Sequence, residues 1–211
     1  MIEEKFFVRY GFDDLVAYTG DDITNEMIDK CIEQAANFYE SKFVWGKATK
    51  NIVQKFNKFC FVFKNRNTGE IVGHSFWFTV KTSIFNKFIK SNEMLLDLKE
   101  EYFVDYENSK GMVNLFQAAE AYAPGYDLLN LHKAVEDHFQ KKVLALARKG
   151  IKIKYLAIES CCKFDEYLVE RLGLTKKIKK PNTIFYYDEY SPNKVYKDSR
   201  EAIELREFYK D

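Results

Sequence analysis

The sequence is poor in the residues that cross-link or interrupt a chain. Its 211 residues include four cysteines, three prolines and nine glycines. So few cysteines in a chain of this length exclude a disulfide framework, and we expect Cys31 and Cys60, which occupy apolar positions, to be buried and reduced. No Gly/Pro-rich linker, repeat or low-complexity tract divides the chain. One domain is therefore favoured, and 46% hydrophobic residues suffice for its core.

The sequence also has no excess of one charge and no long apolar run. Lys and Arg total 33 against 32 for Asp and Glu, which gives no reason to expect a nucleic acid or anionic membrane as partner. No stretch approaches the roughly 20 apolar residues of a membrane span, and the acidic start MIEEKFFVRY is unlike a secretory signal. We therefore expect a cytoplasmic protein with no membrane partner. The three histidines lack metal-ligand spacing, so no metal is predicted.

Strand and helix patterns alternate along the chain. Strands are predicted over residues 4–12, over 59–81 as a hairpin turning at Asn67–Gly69, and over 112–123, 151–160 and 183–190. Helices are predicted after the cap Thr24 to residue 39, from 128 to about 149, from 163 to 173 and from about 198 to 209. The run Lys176–Lys180 is predicted to be a solvated loop. This order predicts a mixed α/β sheet flanked by helices.

That order, with KGIKIKYLAIES leading into FDEYLVERLGLTKKIKKPNTIFYYD, resembles the GNAT superfamily of acyl-CoA-dependent N-acyltransferases. The resemblance covers about residues 4–190 and includes the hairpin NRNTGEIVGHSF, the strand-Pro-helix unit from Tyr122, and ERLGL. It implies one GNAT-like domain over residues 1–190, an insertion at 82–111 between the third and fourth strands, and a C-terminal helical extension over 191–211. The extension could pack on its own domain or on a second subunit, which leaves a homodimer open.

The resemblance implies a binding site for acetyl-CoA as co-substrate. In this family the strand that ends near Pro124 parts from the next parallel strand, here Tyr155–Ser160, and the cofactor lies in the opening. Its pyrophosphate contacts amide groups at the start of the following helix. The cofactor-binding residues so implied are Tyr122, Ala123, Asp127, Leu128, Leu129, Asn130, Leu131 and Ser160.

The implied pyrophosphate loop is degenerate. The family pattern places a basic residue and then Gly-x-Gly or Gly-x-Ala where this chain has Asp127, Asn130 and His132. Asn130 can adopt glycine-like backbone conformations. The Asp127 carboxylate, however, is negatively charged, like the phosphates. At a separation of about 4 Å and an effective dielectric near 20, the repulsion between two such charges is roughly 4 kcal/mol. Either Asp127 turns away and caps the helix, or the cofactor site is shifted or lost.

Two catalytic candidates follow from the same resemblance. Glu120, on the strand before the loop, would deprotonate the substrate ammonium, directly or through water; the alternative is a polar residue that faces water. The family's proton donor to the thiolate is a tyrosine at the position of Val169. Tyr167, two residues away, is the candidate that remains, and its alternative is a core or surface tyrosine. Water could protonate the thiolate in its place.

Together these features predict an N-acyltransferase that moves an acetyl group from acetyl-CoA to a primary amine of a small molecule or peptide. The alternative is a catalytically degenerate GNAT-fold module that binds a ligand or partner in a regulatory role. The missing glycines, the missing basic residue and Val169 motivate this alternative. No motif identifies the acceptor.

Overall fold

The computed structural model describes residues 14–39, 47–93, 99–106, 111–160, 163–197 and 199–210. The strands in these ranges are β1 (Leu15–Thr19), β2 (Phe59–Asn65), β3 (Ile71–Val80), β4 (Met112–Tyr122), β5 (Lys152–Ser160), β6 (Lys176–Lys179) and β7 (Ile184–Glu189). The α-helices are α1 (Asn25–Phe38), α2 (Lys47–Lys55), α3 (Thr82–Lys90), α4 (Leu128–Arg148), α5 (Lys163–Arg171) and α6 (Arg200–Phe208). Short 3-10 helices cover Gly20–Asp22 and Glu100–Tyr102.

The described strands form one mixed sheet in the order β1-β2-β3-β4-β5-β7-β6. The pairs β1–β2, β5–β7 and β6–β7 are antiparallel. β4 and β5 are parallel, and their ladder runs from Met112 opposite Lys152 to Gln117 opposite Ile158. Parallel neighbours require a crossover connection, which α4 provides. The predicted mixed α/β sheet, with an insertion between the third and fourth strands, is confirmed.

The chain divides into two compact units. Unit 1 comprises the described residues within Met1–Phe76 and Ala119–Glu136. Unit 2 comprises those within Trp77–Ala118 and Asp137–Asp211. Three elements, β3, β4 and α4, contribute residues to both units. A single domain over residues 1–190 with an extension over 191–211 stays a prediction.

Unit 1 contains α1 and the turn of the β2–β3 hairpin. α1 begins as predicted at Thr24, whose hydroxyl oxygen accepts a hydrogen bond from the Met27 amide at 3.3 Å. In the hairpin turn, Gly69 has a φ of +72°, a conformation that glycine adopts without strain. The predicted hairpin is therefore confirmed. Cys31 and Cys60 are buried free thiols, also as predicted.

Unit 2 has an aromatic core around Trp77 and the second half of α4. The ring centroids of Trp77 and Phe139 lie 4.7 Å apart, and those of Phe139 and Tyr196 lie 5.8 Å apart. α4 ends where Gly150 adopts a φ of +79°, as the sequence predicts. The terminal helix α6 is also confirmed, and it is capped by the Ser199 hydroxyl. None of the helices in the described ranges combines the length and apolar character of a membrane span.

Some local predictions differ from the structure. The strand predicted over residues 4–12 lies outside the described residues, while β1 and α2 were not predicted. The prediction that Lys176–Lys180 is a solvated loop is wrong about the loop and about Lys180, although Lys176, Lys177 and Lys179 are exposed. Lys176–Lys179 forms the strand β6, and Lys180 is buried, with its ammonium group donating to the carbonyls of Phe88 and Ser91. Strand pairing and buried carbonyl partners explain how a lysine run can fold into a sheet.

Candidate functional site

A cavity of about 810 Å³ lies within unit 1. α1 lines it with Glu33 and Phe38, and Glu70 lines it from the end of the hairpin turn. Tyr122, at the end of β4, and Tyr126, in the loop before α4, also line it. Sites for small molecules typically have volumes of roughly 300–1,000 Å³. The cavity is therefore large enough for a small-molecule ligand beside the end of β4.

Tyr122 connects this cavity to a buried carboxylate. Its hydroxyl group donates a hydrogen bond to Oε1 of Glu120, whose side chain is 0% exposed. The two residues are two positions apart on β4, so their side chains lie on the same face of the strand. The Ser75 hydroxyl, on the neighbouring strand β3, donates to the other oxygen, Oε2, at 3.0 Å. The alternative prediction that Glu120 faces water is therefore wrong.

His132, in the first part of α4, is the third partner of the Glu120 carboxylate. Its Nδ1 lies 2.7 Å from Oε1 of Glu120, and its Nε2 lies 3.3 Å from Oε1 of Glu136. Burial by itself would lower the pKa of His132, but the two neighbouring carboxylates outweigh burial and raise that pKa to about 9. His132 is therefore an imidazolium at neutral pH, flanked by two carboxylates. Within the described ranges, no group of three or more His, Cys, Asp or Glu side chains could hold a metal ion.

The backbone of Glu120 is fixed by the end of α1. The Tyr39 hydroxyl, from the residue that follows α1, donates to the Glu120 carbonyl at 2.9 Å. Another α1 residue, Gln34, lines the cavity and contacts Nδ1 of His74 through its Oε1 at 2.9 Å. Burial lowers the pKa of His74 to about 3, so this histidine is neutral. α1 therefore supports both the cavity wall and the strand that carries Glu120.

Asp127 lies immediately before α4, and its carboxylate caps that helix. Oδ1 accepts hydrogen bonds from the amides of Leu129 at 3.0 Å and Asn130 at 3.4 Å, and Oδ2 accepts one from the Asn130 side chain at 3.1 Å. The first amides of a helix have no partner within the helix, and a capping carboxylate satisfies them. The interpretation of Asp127 as a helix cap is confirmed. Its carboxylate occupies amides that the resemblance assigns to pyrophosphate.

Replacing Asp127 with alanine is expected to lower the free energy of unfolding by about 1 kcal/mol, because the amides of Leu129 and Asn130 lose their acceptor. Urea denaturation of the purified variant measures this change. Asp137→Ala is a matched control on the same helix, because Asp137 is 40% exposed and pairs with Lys141 at the surface. Its expected loss is at most about 0.5 kcal/mol. Equal losses in the two variants would show that the cap contributes no more than a surface ion pair.

The structure distributes the predicted site residues over both units. Glu120, Tyr122, Ala123 and the residues from Asp127 to Leu131 belong to unit 1, whereas Ser160 and Tyr167 belong to unit 2. The Ala123 amide donates to the Val72 carbonyl at 2.9 Å, so it is used within the protein. Leu128 and Leu129 are exposed in the first turn of α4, and Leu131 is buried. Ser160 pairs opposite Ile184, and Tyr167 is half-buried in α5 with its ring beside Phe164.

The Glu120 carboxylate and the side chains of Ser75, Tyr122, His132 and Glu136 form the Glu120 cluster. Neither Ser75 nor the two cluster residues on α4 were assigned a role from the sequence. His132 was considered as the position of a missing small residue and, with the other histidines, as a metal ligand, and Glu136 was not considered. Their spacing of four positions on a helix places both side chains on one face, which is a readable signal for a charged pair. Their proximity to Glu120 depends on how α4 packs against β4. That packing is not visible in a local pattern.

Comparison with known proteins places this fold. No family model and no curated protein matches the sequence. Among solved structures, the fold is similar to a mutant of agmatine N-acetyltransferase in its apo form, with a TM-score of 0.53, 12% identity, and coverage of 84% of this chain and 100% of that one. An N-acyl amino acid synthase from uncultured soil microbes gives a TM-score of 0.53 and 12% identity, with coverage of 89% and 98%.

A third similar structure is that of the NatC complex bound to Gag peptide and CoA. Its TM-score is 0.51 at 8% identity, with coverage of 82% of this chain and 96% of that chain. At such low identities the similarity shows the fold alone. The chain therefore has the fold of the GNAT acyltransferases, as the sequence resemblance implied. The names of these three similar structures mention agmatine, an N-acyl amino acid and a peptide, so the fold does not identify an acceptor.

Proposed function

We propose that this protein is an N-acyltransferase that moves an acetyl group from acetyl-CoA to a primary amine of a small molecule or peptide. The observation that carries the proposal is the contact between Tyr122, in the wall of the cavity, and the buried Glu120 carboxylate. This contact provides a path by which a proton can leave a bound ammonium group. The GNAT fold and the CoA in a similar structure support the choice of cofactor.

In the proposed reaction Glu120 is the base, and it acts through the Tyr122 hydroxyl or through water. An amine is mostly protonated at neutral pH and cannot attack a thioester until it has lost a proton. The neutral nitrogen then forms a bond to the thioester carbonyl carbon, and the carbon–sulfur bond breaks. The departing thiolate takes up a proton, from Tyr167 as predicted or from water, and the second proton that the nitrogen loses on becoming an amide restores that donor. The products are an amide and free CoA.

The segment from Tyr122 to Leu131 would bind the cofactor in this proposal. It combines a wall of the cavity with the start of the 21-residue helix α4, where the helix dipole favours an anion. The Asp127 carboxylate already occupies two of the amides there. A diphosphate group must therefore displace this carboxylate or contact other donors of the segment. Ser160 and Tyr167, in unit 2, stay predictions.

The second candidate function is a catalytically degenerate GNAT-fold module that binds a ligand or a partner protein. The capping of α4 by Asp127 favours it, because the protein itself satisfies amides that a phosphate would otherwise contact. This candidate leaves the architecture unchanged. It differs from the first in whether acetyl-CoA binds at the start of α4 and in whether the Glu120 carboxylate acts as a base.

Two measurements distinguish the candidates. Acetyl-CoA at about 100 times its dissociation constant is expected to stabilise the protein by ~2.7 kcal/mol, which a thermal shift detects. Incubation with acetyl-CoA and a panel of amines and peptides is expected to release free thiol. Glu120→Gln is the matched control, because it keeps the side-chain shape but removes the base, so it should retain the thermal shift and lose thiol release.

Each outcome assigns one function. A thermal shift with thiol release supports the acetyltransferase. A shift without release for any acceptor supports a ligand-binding module. The lack of a shift at millimolar acetyl-CoA overturns the cofactor assignment and favours a module that binds a partner.

A further inference from the structure

The Glu120 carboxylate lies where an isolated negative charge would be unstable. Its side chain is 0% exposed, and the hydroxyls of Ser75 and Tyr122 give it neutral hydrogen bonds. Transfer of an ionised carboxylate from water to an apolar interior is so unfavourable that such a group normally takes up a proton instead. A protonated carboxyl group cannot act as a base. A base at this position therefore requires a nearby positive charge.

His132 supplies that charge. Its side chain is 3% exposed, and its Nδ1 lies 2.7 Å from Oε1 of Glu120, so the imidazolium and the carboxylate form a buried ion pair. A charge-assisted hydrogen bond of this kind is stronger than one between neutral groups. The ion pair keeps Glu120 in the form that can accept a proton.

Glu136 holds His132 in its charged form. It lies one helical turn after His132, and its Oε1 is 3.3 Å from Nε2 of the imidazole ring. The Glu136 side chain is 13% exposed, so it is only partly desolvated and can stay ionised at a smaller energetic penalty than Glu120. Two carboxylates on opposite sides of one ring favour the imidazolium over the neutral imidazole.

We infer that His132 and Glu136 are positioning residues that keep the Glu120 carboxylate ionised beneath the cavity wall, ready to receive a proton through Tyr122. This inference rests on the proposed acyl transfer, and it adds two residues to the machinery. Before the nitrogen attacks, the ammonium group loses one proton, and Glu120 becomes neutral by gaining it. The proton then passes to solvent, and the His132 charge is unchanged before and after.

The surroundings of the ion pair define how it responds to pH. The titratable groups near it include Tyr39 after α1, Tyr122 on β4 and Glu136 on α4. The pKa of His132 is raised from an ordinary value of 6.5 to about 9. Stability from the imidazolium is therefore fully present below pH 6.5 and is lost as the pH rises through about 9.

The charge arrangement can be tested without any assay of activity. NMR titration of the three histidine rings of the full chain is expected to give a midpoint for His132 near 9. Assignment uses the variants His132→Gln and His138→Gln. In Glu136→Gln, which keeps the side-chain shape, the His132 midpoint is expected to fall. A His132 midpoint near 6.5 in both the unmodified protein and Glu136→Gln would overturn the inference.

The effect on catalysis is read from the pH profile of acetyl transfer. His132→Gln can still donate a hydrogen bond but carries no charge. We expect its acetyl transfer to fall on the acid side of the profile, by about tenfold for each pH unit that this side moves, and to recover as the pH rises. We also expect the acid side of its profile to move to higher pH by roughly 1–3 pH units. His138→Gln, a change on the same helix, should leave the profile unmoved.

The NMR titration and the pH profile of acetyl transfer together distinguish failure of the inference from failure of the proposed function. If His132→Gln lowers the rate at all pH values without moving the profile, His132 has a merely structural role and the inference is wrong. If His132→Gln does not fold, the same comparison is made with Glu136→Gln, whose profile should move in the same direction by less. If the unmodified protein transfers no acetyl group, the proposed function and the catalytic role fail together. The NMR titration then still decides whether the buried imidazolium exists.

Discussion

Replacing Glu120 with alanine is expected to lower the free energy of unfolding by roughly 3–5 kcal/mol, the range for removing one member of a buried ion pair. The imidazolium of His132 would lose its closest carboxylate, at 2.7 Å, while remaining buried. The hydroxyls of Ser75 and Tyr122 would lose an acceptor at the same time. Such a loss is a large part of the stability of a typical domain. Chemical denaturation followed by circular dichroism measures it.

The matched control for this change is Glu33→Ala. Glu33 is an exposed carboxylate of the same unit, so its replacement should change the free energy of unfolding by less than about 0.5 kcal/mol. The loss in Glu120→Ala should also shrink at alkaline pH, where His132 is no longer charged. A loss below about 1 kcal/mol at pH 7 would contradict a charged pair and indicate a neutral cluster.

Replacing Gly73 with alanine is expected to lower the free energy of unfolding by roughly 1–3 kcal/mol, as overpacking of a buried site does. Gly73 lies on β3, and an added Cβ would lie 2.5 Å from Cδ1 of Tyr122. The ring cannot move away easily because its hydroxyl group donates a hydrogen bond to the Glu120 carboxylate. The same displacement should disturb the cavity wall. Thermal unfolding and thiol release therefore both report on this variant.

A double-mutant cycle with Tyr122→Ala shows whether the clash is the cause. Once the tyrosine ring is absent, the added methyl group at position 73 has space. In the Tyr122→Ala background, Gly73→Ala should therefore lower the free energy of unfolding much less than it does in the unmodified protein. We expect a coupling energy of roughly 0.5–3 kcal/mol between the two positions. Additive losses would show that Gly73→Ala acts through the backbone of β3 and not through the tyrosine ring.

Much of the fold can be predicted from local patterns. Apolar spacing and the cap Thr24 predict α1, while Gly69 and Gly150 mark a hairpin turn and a helix end because both adopt positive φ. The patterns fail where tertiary contacts outweigh composition. α2 is rich in lysine and has few apolar residues, yet Ile52 and Val53 are buried. β6 consists largely of lysines and still pairs with β7.

Less of the candidate site can be predicted. Glu120 can be selected from the sequence because it is the carboxylate on the strand before the helix, and Tyr122 follows on the same face. His132 lies 12 residues beyond Glu120, and Ser75 lies 45 residues before it, so their contacts depend on the packing of three elements. Burial of Glu120 also reverses the expected environment of an acidic residue. These facts require coordinates.

The cap at the start of α4 has a consequence for any anion that binds there. Asp127 is a tethered competitor, because its carboxylate occupies the Leu129 and Asn130 amides whenever the site is empty. A guest that takes over these amides must release a cap worth about 1 kcal/mol, which weakens its affinity by about fivefold. The same cap satisfies the Leu129 and Asn130 amides when no anion is bound. The first turn of α4 therefore keeps one arrangement whether or not a ligand is present.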